Sequence, residues 1–540
     1  MIEGLLASLQ PMHLLYLLGG VLGGVLVGCL PGLTATMGTA LLVPFTFVME
    51  PTAGLVMLGG LYIGAMYGDA IPACLVNIPG TPSSLATSFD GFPMTEKGQG
   101  RRALIAACFS SAVGAVVGGV ALLLLSPPLA ALSLQFGPPE FFWLGILALT
   151  IMGSIVGKSF LRGIGAGMFG LLLSTIGVAV SGGETRFTFD QYQLMGGISL
   201  PVVLIGLFAI PQLIKLIEGR RTKSSIGTLD REKGVLRKTL PRAANPVNLA
   251  RSSVLGTVIG ILPGAGSPIA ALISYNEAKR WSRNKRQFGK GAIEGVVASE
   301  TANNAAAPAS MVPTLTLGVP GSSPSAVILG ALLLHGLRPG GELFQTNPDI
   351  VYAFIWAMII GGLLVFVVGV LFSPLLVSVV AVPVQILVPA IAGLAVVGSF
   401  AIRNNIFDVY LMFIIGVAGY LLTKVGVPVA PVALGIILGP IVESGLDTAL
   451  SMAQGSSYME VFVLRPISAG LILLTVASIV WTVLSRRAER RRQLAGEDDP
   501  DEPEDPADTG EEPDVPEPPR GEPTGQATVE ETDQSEVRSR

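Results

Sequence analysis

Apolar runs of membrane-spanning length follow one another for most of the chain, separated by short polar stretches. "LVMLGGLYIGAMYGDAIPACLV" (55–76) and "ALIAACFSSAVGAVVGGVALLLL" (103–125) are two of them. A helix that crosses the hydrocarbon core needs about 20 such residues, and the pattern predicts roughly 10–12 membrane segments in an all-α polytopic fold. Between those two runs stands "NIPGTPSSLATSFDG" (77–91), where Pro79, Gly80 and Pro82 sit among hydroxyls. Pro and Gly interrupt helices. Bare backbone at membrane depth survives only when buried in protein or lining a wet cavity.

The interruption recurs. "GVPGSSPSAV" (318–327) repeats the Pro-Gly step, and "GCLPGLTAT" (28–36) is repeated by "GILPGAGSP" (260–268). Two motifs therefore occur twice in the same order, which marks an internal duplication. The first repeat is placed at 1–217, with hairpin motifs at 28–47 and 77–91. A linker is placed at 218–250. The second repeat is placed at 251–485, with hairpin motifs at 260–275 and 318–337.

Loop charge orients the repeats. Clusters of Lys and Arg mark cytoplasmic loops. They fall at Lys97/Arg101/Arg102, at Lys158/Arg162, between Arg220 and Arg242, from Lys279 to Lys290 and at Arg486–Arg492. Four apolar segments fit between 102 and 218. Residues 251–275 lie between two basic loops and read as a hairpin that enters and leaves on one side. After the first motif, repeat one carries uncharged-to-acidic "VMEPTAG" and repeat two carries basic 279–290; after the second motif the charges exchange. Opposite flanks predict an inverted repeat with the N-terminus outside.

Thr81-Pro82, Ser267-Pro268 and Ser323-Pro324 each read as a helix start, since a hydroxyl caps and Pro suits the first turn. The first break offers Thr34 and Thr36 instead. Half-helix N-termini carry free N–H groups and about half a positive charge each, which suits carboxylates, while unwound carbonyls can hold a cation. The helix-breaking residues are Pro31, Gly32, Pro79, Pro263 and Pro320. The expected substrate contacts are Thr34, Asn77, Gly80, Thr81, Ser83, Gly264, Ser267, Gly321, Ser322 and Ser323. The bland alternative is that the breaks are kinks that let helices pack. The breaks hold no Lys or Arg, and two helix ends supply about one positive charge. A di- or tricarboxylate carries more negative charge, so a co-bound Na+ or H+ is expected, with Na+ at unwound hairpin carbonyls. Intramembrane acids are functional candidates. Asp69 and Glu300 are the two that qualify, with Asn303 and Asn304 on the same helical face as Glu300. Asp69 and Glu300 read as repeat counterparts; a structural helix-linking hydrogen bond is their alternative role.

Composition agrees with the pattern. The 540 residues are 50% hydrophobic and 13% charged, with mean hydropathy +0.65; soluble domains average about 25% charged. The Gly-dense runs 19–28 and 163–170 read as close helix packing. Cys29, Cys74 and Cys108 lack metal or redox spacing, and His13 and His335 form no motif. The N-terminus has no basic region or cleavage site of a signal peptide. The net charge of −4 gathers in the acidic, Pro-rich tail, 486–540, whose composition predicts disorder and which the basic residues at its start place in the cytoplasm. "GSIVGKS" (153–159) is one residue short of a P-loop, and no strand precedes it.

Taken together, "GCLPGLTATMGTALLVPFTF" (28–47), "NIPGTPSSLATSFDGFPMTEKGQGRRAL" (77–104), "GILPGAGSP", "ASETANNAAAPASMVPTLTLGVPGSSPSAVILGAL" (298–332) and "HGLRPGGELF" (335–344) resemble the large membrane subunit of tripartite tricarboxylate transporters, the TctA family, over roughly residues 1–485. The resemblance implies a secondary active transporter of the bacterial inner membrane that takes up di- or tricarboxylates by symport. It also implies a small membrane subunit with about four helices and a periplasmic solute-binding protein. No cofactor, no nucleic-acid partner and no enzymatic activity are expected. Paired hairpins suit a carrier domain that moves against a scaffold. A passive organic-anion channel is the alternative reading. An intramembrane aspartyl protease is the enzyme-class rival, and it lacks a second membrane Asp in a suitable motif: Asp408 stands near a loop beside Arg403.

Overall fold

The computed structural model describes residues 1–30, 32–155, 160–179, 183–218, 234–264, 266–380, 382–455 and 457–495. Pro31, Ala265, Lys158 with most of the P-loop-like stretch, 219–233 of the 218–250 linker and the tail from 496 lie outside these. The compact unit is Met1–Thr482; the second unit, Val483–Arg540, is helical as far as it is described.

A short α1 (Ile2–Ser8) precedes α2 (Pro11–Cys29), which ends at the first break. Then come α3 (Ala35–Phe47), α4 (Pro51–Gly68) and α5 (Ala70–Val76). After the second break a 3-10 turn at Pro82–Ser84 leads into α6 (Leu85–Glu96) and the long α7 (Gly100–Ser133). The helices α8 (Pro138–Ile155), α9 (Phe160–Ser174) and α10 (Leu200–Glu218) follow, with a two-stranded ribbon at Gly177–Val178 and Thr185–Arg186. With α7 they are the four segments expected between 102 and 218.

The second half repeats the series. Past α11 (Val235–Ala243), α12 (Pro246–Ile261) and α13 (Gly266–Trp281) flank the third break. Next come α14 (Ile293–Ala309) and α15 (Met311–Leu317), the fourth break, α16 (Ser323–Leu334), a short α17 (Gly341–Thr346) and the long α18 (Pro348–Val380). The chain closes with α19 (Val384–Arg403), α20 (Ile406–Lys424), α21 (Val429–Ala453), α22 (Tyr458–Phe462) and α23 (Pro466–Ala495). Among the described residues, nine helices are long and apolar enough to cross a membrane, and four shorter apolar helices, two of which are α3 and α16, accompany them. The protein is an all-α polytopic membrane protein. Asn245 caps α12 through its side chain, so that helix starts with Pro246, ahead of the 251 start expected for the second repeat. The final helix runs to Ala495, because "SRRAERRRQLA" continues with good helix formers before the acidic stretch begins.

Small residues set the helix spacing. A Cβ at Gly24 would strike the carbonyl of Leu61, and one at Gly28 that of Ala65. In the second half Gly256 meets Ala302 and Gly260 meets Ala306 in the same register. The Gly-dense run 19–28 therefore packs α2 onto α4 as expected, and Gly163 and Gly170 press on Gly153 and Val432 likewise. The three cysteines are buried and free. The halves interlock: α7 packs on α14, and α18 packs on α4. The pair α8–α9 packs on α21 from the other half, and α19–α20 on α10. Each of these flanks has its own apolar cluster, beside a larger one that spans both halves.

Candidate functional site

Each break begins a helix by a different local device. At the first, Thr34 is extended and its hydroxyl accepts from Met37 N at 3.2 Å, while Gly32 takes φ 85°. At the second, α5 ends on Asn77 in the left-handed region, φ 54°, and Pro82 opens the next turn. The Thr81 hydroxyl does not cap that turn; it donates to Asp69 instead. At the third, Gly264 has φ 79° and α13 starts at Gly266, so Ser267 lies inside its first turn rather than at the cap. At the fourth, α15 ends on Gly318, φ 72°, and the cap is Ser322, not Ser323. Ser322 accepts from Ser325 N, and Ser325 Oγ accepts from Ser322 N, a reciprocal capping box.

Tertiary packing brings these breaks together. A Cβ on Gly80 would lie 3.1 Å from the carbonyl oxygen of Gly28 and 3.2 Å from Asp69 Cβ. A Cβ on Gly321 would lie 2.9 Å from the carbonyl oxygen of Gly260 and 2.8 Å from Ser310 Cα. Gly264 N also donates to Gly321 O at 3.1 Å. So within each half the two breaks touch. Across the halves, the 82–84 turn packs on α13, and α16 packs along α3. Thr34, Thr81 and Ser323 remain half-buried and Asn77 exposed, whereas Gly80, Ser83, Gly264, Ser267, Gly321 and Ser322 are buried. Pro79 and Pro263 are half-buried and Pro320 is buried.

Beneath the breaks lies a polar cluster in the apolar interior. Asp69, Asn303, Glu300 and Asn304 are all fully buried. Asp69 Oδ2 receives the Thr81 hydroxyl and, at 3.0 Å, that of Ser83. Glu300 Oε1 receives Thr87 at 2.5 Å, and Oε2 receives Ser111 at 2.9 Å and Asn304 Nδ2 at 3.2 Å. Asn303 Nδ2 donates to the carbonyl of Met66 at 3.2 Å, which joins α14 to α4. Among the described residues neither carboxylate pairs with Lys or Arg. A buried carboxylate without a cationic partner is costly unless it is neutralised. Asp69 Oδ1, Asn303 Oδ1 and Asn304 Oδ1 have no hydrogen-bond partner among the described residues.

The breaks and buried acids lie within the chain's match to a known family. Residues 14–434 fit the model of the tripartite tricarboxylate transporter TctA family. The chain belongs to that family. It is also 37% identical over 504 residues, covering 92% of this chain and 98% of the relative, to an uncharacterized 52.8 kDa protein in the TAR-I ttuC' 3' region of Agrobacterium vitis. A second uncharacterized protein, in the TAR-II ttuC' 3' region of the same organism, is 39% identical over 244 residues, 45% of this chain and the whole of the relative. Family membership makes the chain a component of a tripartite membrane transporter, and it argues against the protease reading.

The fold corrects one expected correspondence. Asp69 sits at the α4–α5 junction, twelve residues before Thr81, and Ser310 sits at the α14–α15 junction, twelve before Ser322. Ser310 is therefore the counterpart of Asp69, and Glu300 lies further up its helix. The four positions from the sequence reading do converge, but Thr87, Ser111, Tyr62 and Ser310 were missed. Their signal was a hydroxyl within an apolar run, which is common in packed membrane helices. Asp90 was missed too. Its carboxylate accepts from Gly291 N at 2.9 Å, Ala292 N at 2.8 Å and the Tyr275 hydroxyl at 3.0 Å, tying α6 to the start of α14. Asp408 proves to be paired with Arg403 at 2.5 Å, away from the breaks.

Proposed function

We propose that this chain is the transport subunit that carries di- or tricarboxylates across the bacterial cytoplasmic membrane, driven by a Na+ or H+ gradient. The reading rests on one observation above all: four helix starts and two uncompensated buried carboxylates lie in one duplicated core. The free N–H groups of the half-helices and the hydroxyls of Thr34, Ser267 and Ser323 would hold the substrate's carboxylates, with Thr81 turned to Asp69. The coupling cation would offset the charge of Asp69 as the substrate binds, in the cluster that Glu300, Asn303 and Asn304 complete. In this reading the repeats lie inverted in the membrane, the N-terminus is outside and the acidic tail is cytoplasmic. A periplasmic solute-binding protein delivers substrate, and a small subunit of about four helices accompanies the chain.

Tracer uptake tests this. The chain is co-expressed with the two partner subunits, and cells are offered a panel of di- and tricarboxylates with and without a Na+ or proton gradient. Accumulation against the substrate gradient that collapses with the ion gradient supports the reading. Equal flux with both ion gradients removed refutes the coupling and favours an organic-anion channel. Labelling of a cysteine placed in loop 49–52 only from the cytoplasmic side refutes the inverted orientation.

A further inference from the structure

The two halves place different chemistry at the same point. At the second half's α14–α15 junction, Tyr62 OH, reaching over from α4, lies 3.3 Å from Ser310 Oγ and 3.0 Å from Ser322 Oγ, and the two serines lie 3.1 Å apart. That set is neutral, and each hydroxyl has a partner. In the first half the same junction carries Asp69, whose Oδ2 is occupied by Thr81 and Ser83 while its Oδ1 has no partner. The side chain that crosses to this junction from the other half is Asn303, anchored by its Nδ2 on the carbonyl of Met66, one turn before Asp69, with its Oδ1 also unpartnered. Both residues are fully buried. Glu300 is different: both of its oxygens already accept donors. Its donors engage both oxygens, whereas those on Asp69 engage only one.

We propose that Asp69 Oδ1 and Asn303 Oδ1 are ligands of one Na+ ion per chain, held at the first half's α4–α5 junction, and that the second half's α14–α15 junction, where Ser310 and Ser322 meet Tyr62 of α4, holds no cation. This rests on the ion-coupling reading above and narrows it to one site. Two fully buried hard oxygen acceptors without a donor among the described residues suit an alkali cation. Thr81 is part of the second break and donates to the same carboxylate, so filling the site bears directly on that break. Glu300 then acts as a positioning residue that fixes α14 against α6 and α7.

The test reads binding rather than transport. The full chain, purified in nanodiscs, is titrated with NaCl against choline chloride at constant ionic strength, and its thermal midpoint is followed; a ligand of the folded state raises it. The expected result is a saturable, Na+-specific rise. Asp69→Asn should raise the half-saturating Na+ concentration by about tenfold or more, since affinity in such sites follows the charge of the ligand set. Asn303→Leu is the second variant and should weaken the response without removing the acid. Glu300→Gln should lower the baseline midpoint but keep the Na+ response, and Ser310→Ala should leave that response unchanged. A full response in Asp69→Asn or Asn303→Leu, or its loss in a folded Glu300→Gln, overturns the proposal. So does a midpoint that follows pH and ignores Na+, which would make Asp69 a proton carrier. A response that maps to Asp69 while carboxylate uptake is absent leaves this site standing and removes the transport reading. Na+-driven uptake with a response independent of Asp69 does the reverse.

Discussion

Replacing Gly321 by Ala should overpack the fourth break against backbone. Three atoms meet the new Cβ: Ser310 Cα at 2.8 Å, Ser310 O at 2.8 Å and Gly260 O at 2.9 Å. All belong to backbone, so no side chain can rotate away, and the break must shift against α14 and α12. Neither Gly321 nor its counterpart Gly80 has positive φ, so space alone decides the outcome. At Gly80 the nearest atoms are Gly28 O at 3.1 Å and Asp69 Cβ at 3.2 Å, a fit that a few tenths of an ångström would relieve. Overpacking costs about 1–3 kcal/mol, so we expect about 3 kcal/mol for Gly321→Ala and about 1 kcal/mol for Gly80→Ala. The difference is more than tenfold in the unfolding equilibrium, at about 1.4 kcal/mol per factor of ten. The assay is SDS-titrated unfolding of the purified chain in mixed micelles, read by Trp fluorescence. A Gly80→Ala variant as damaged as Gly321→Ala, or a Gly321→Ala variant within about 0.5 kcal/mol of the parent, would refute the packing of the fourth break on Ser310 and Gly260.

Asn77 and Gly318 end corresponding helices in the left-handed region, so Asn77→Gly should keep stability within about 0.5 kcal/mol while Asn77→Val costs about 1–2 kcal/mol. If Asn77→Gly also keeps uptake, Asn77 is a helix terminator and its role as a substrate contact is excluded. Thr87→Val removes the donor on Glu300 Oε1 and should destabilise the chain by about 1–3 kcal/mol in the same titration, with Thr87→Ser close to the parent. Asp90→Ala strips the acceptor from Gly291 N and Ala292 N; limited proteolysis between Arg283 and Lys290 should accelerate, and an unchanged rate would count against that anchor. Arg403→Ala leaves the fully buried Asp408 without its partner and should cost about 3 kcal/mol or more, largely restored by adding Asp408→Asn. A cost under 1 kcal/mol in unfolding would show that Asp408 finds another partner or water.

Much of the architecture was legible along the chain because local rules write it there. The four breaks were found from Pro, Gly and hydroxyl spacing, and each does interrupt a helix near the expected residue. Which hydroxyl caps was less legible. Ser322 wins over Ser323 because Ser325 completes a reciprocal pair with it, and Thr81 leaves its own cap for a carboxylate that lies twelve residues back. The duplication was legible as repeated motifs, but its alignment through the acids was not. Asp69 and Glu300 seemed to correspond because the offset of the first motif pair was applied to them. The loops differ in length between the repeats, so the later elements follow the offset of the second pair, which matches Asp69 with Ser310.

The sequence by itself determined the membrane class, the segment pattern, the duplicated breaks and the family, since each depends on runs of neighbouring residues and on short motifs. Only the tertiary structure decided that Gly28 meets Gly80 and Gly260 meets Gly321, that Glu300 receives Thr87, Ser111 and Asn304, and that Asn303 crosses to Met66 beside Asp69. Those contacts join residues far apart in the chain. They exist because small side chains let helices from both halves approach until polar groups without access to water must find one another.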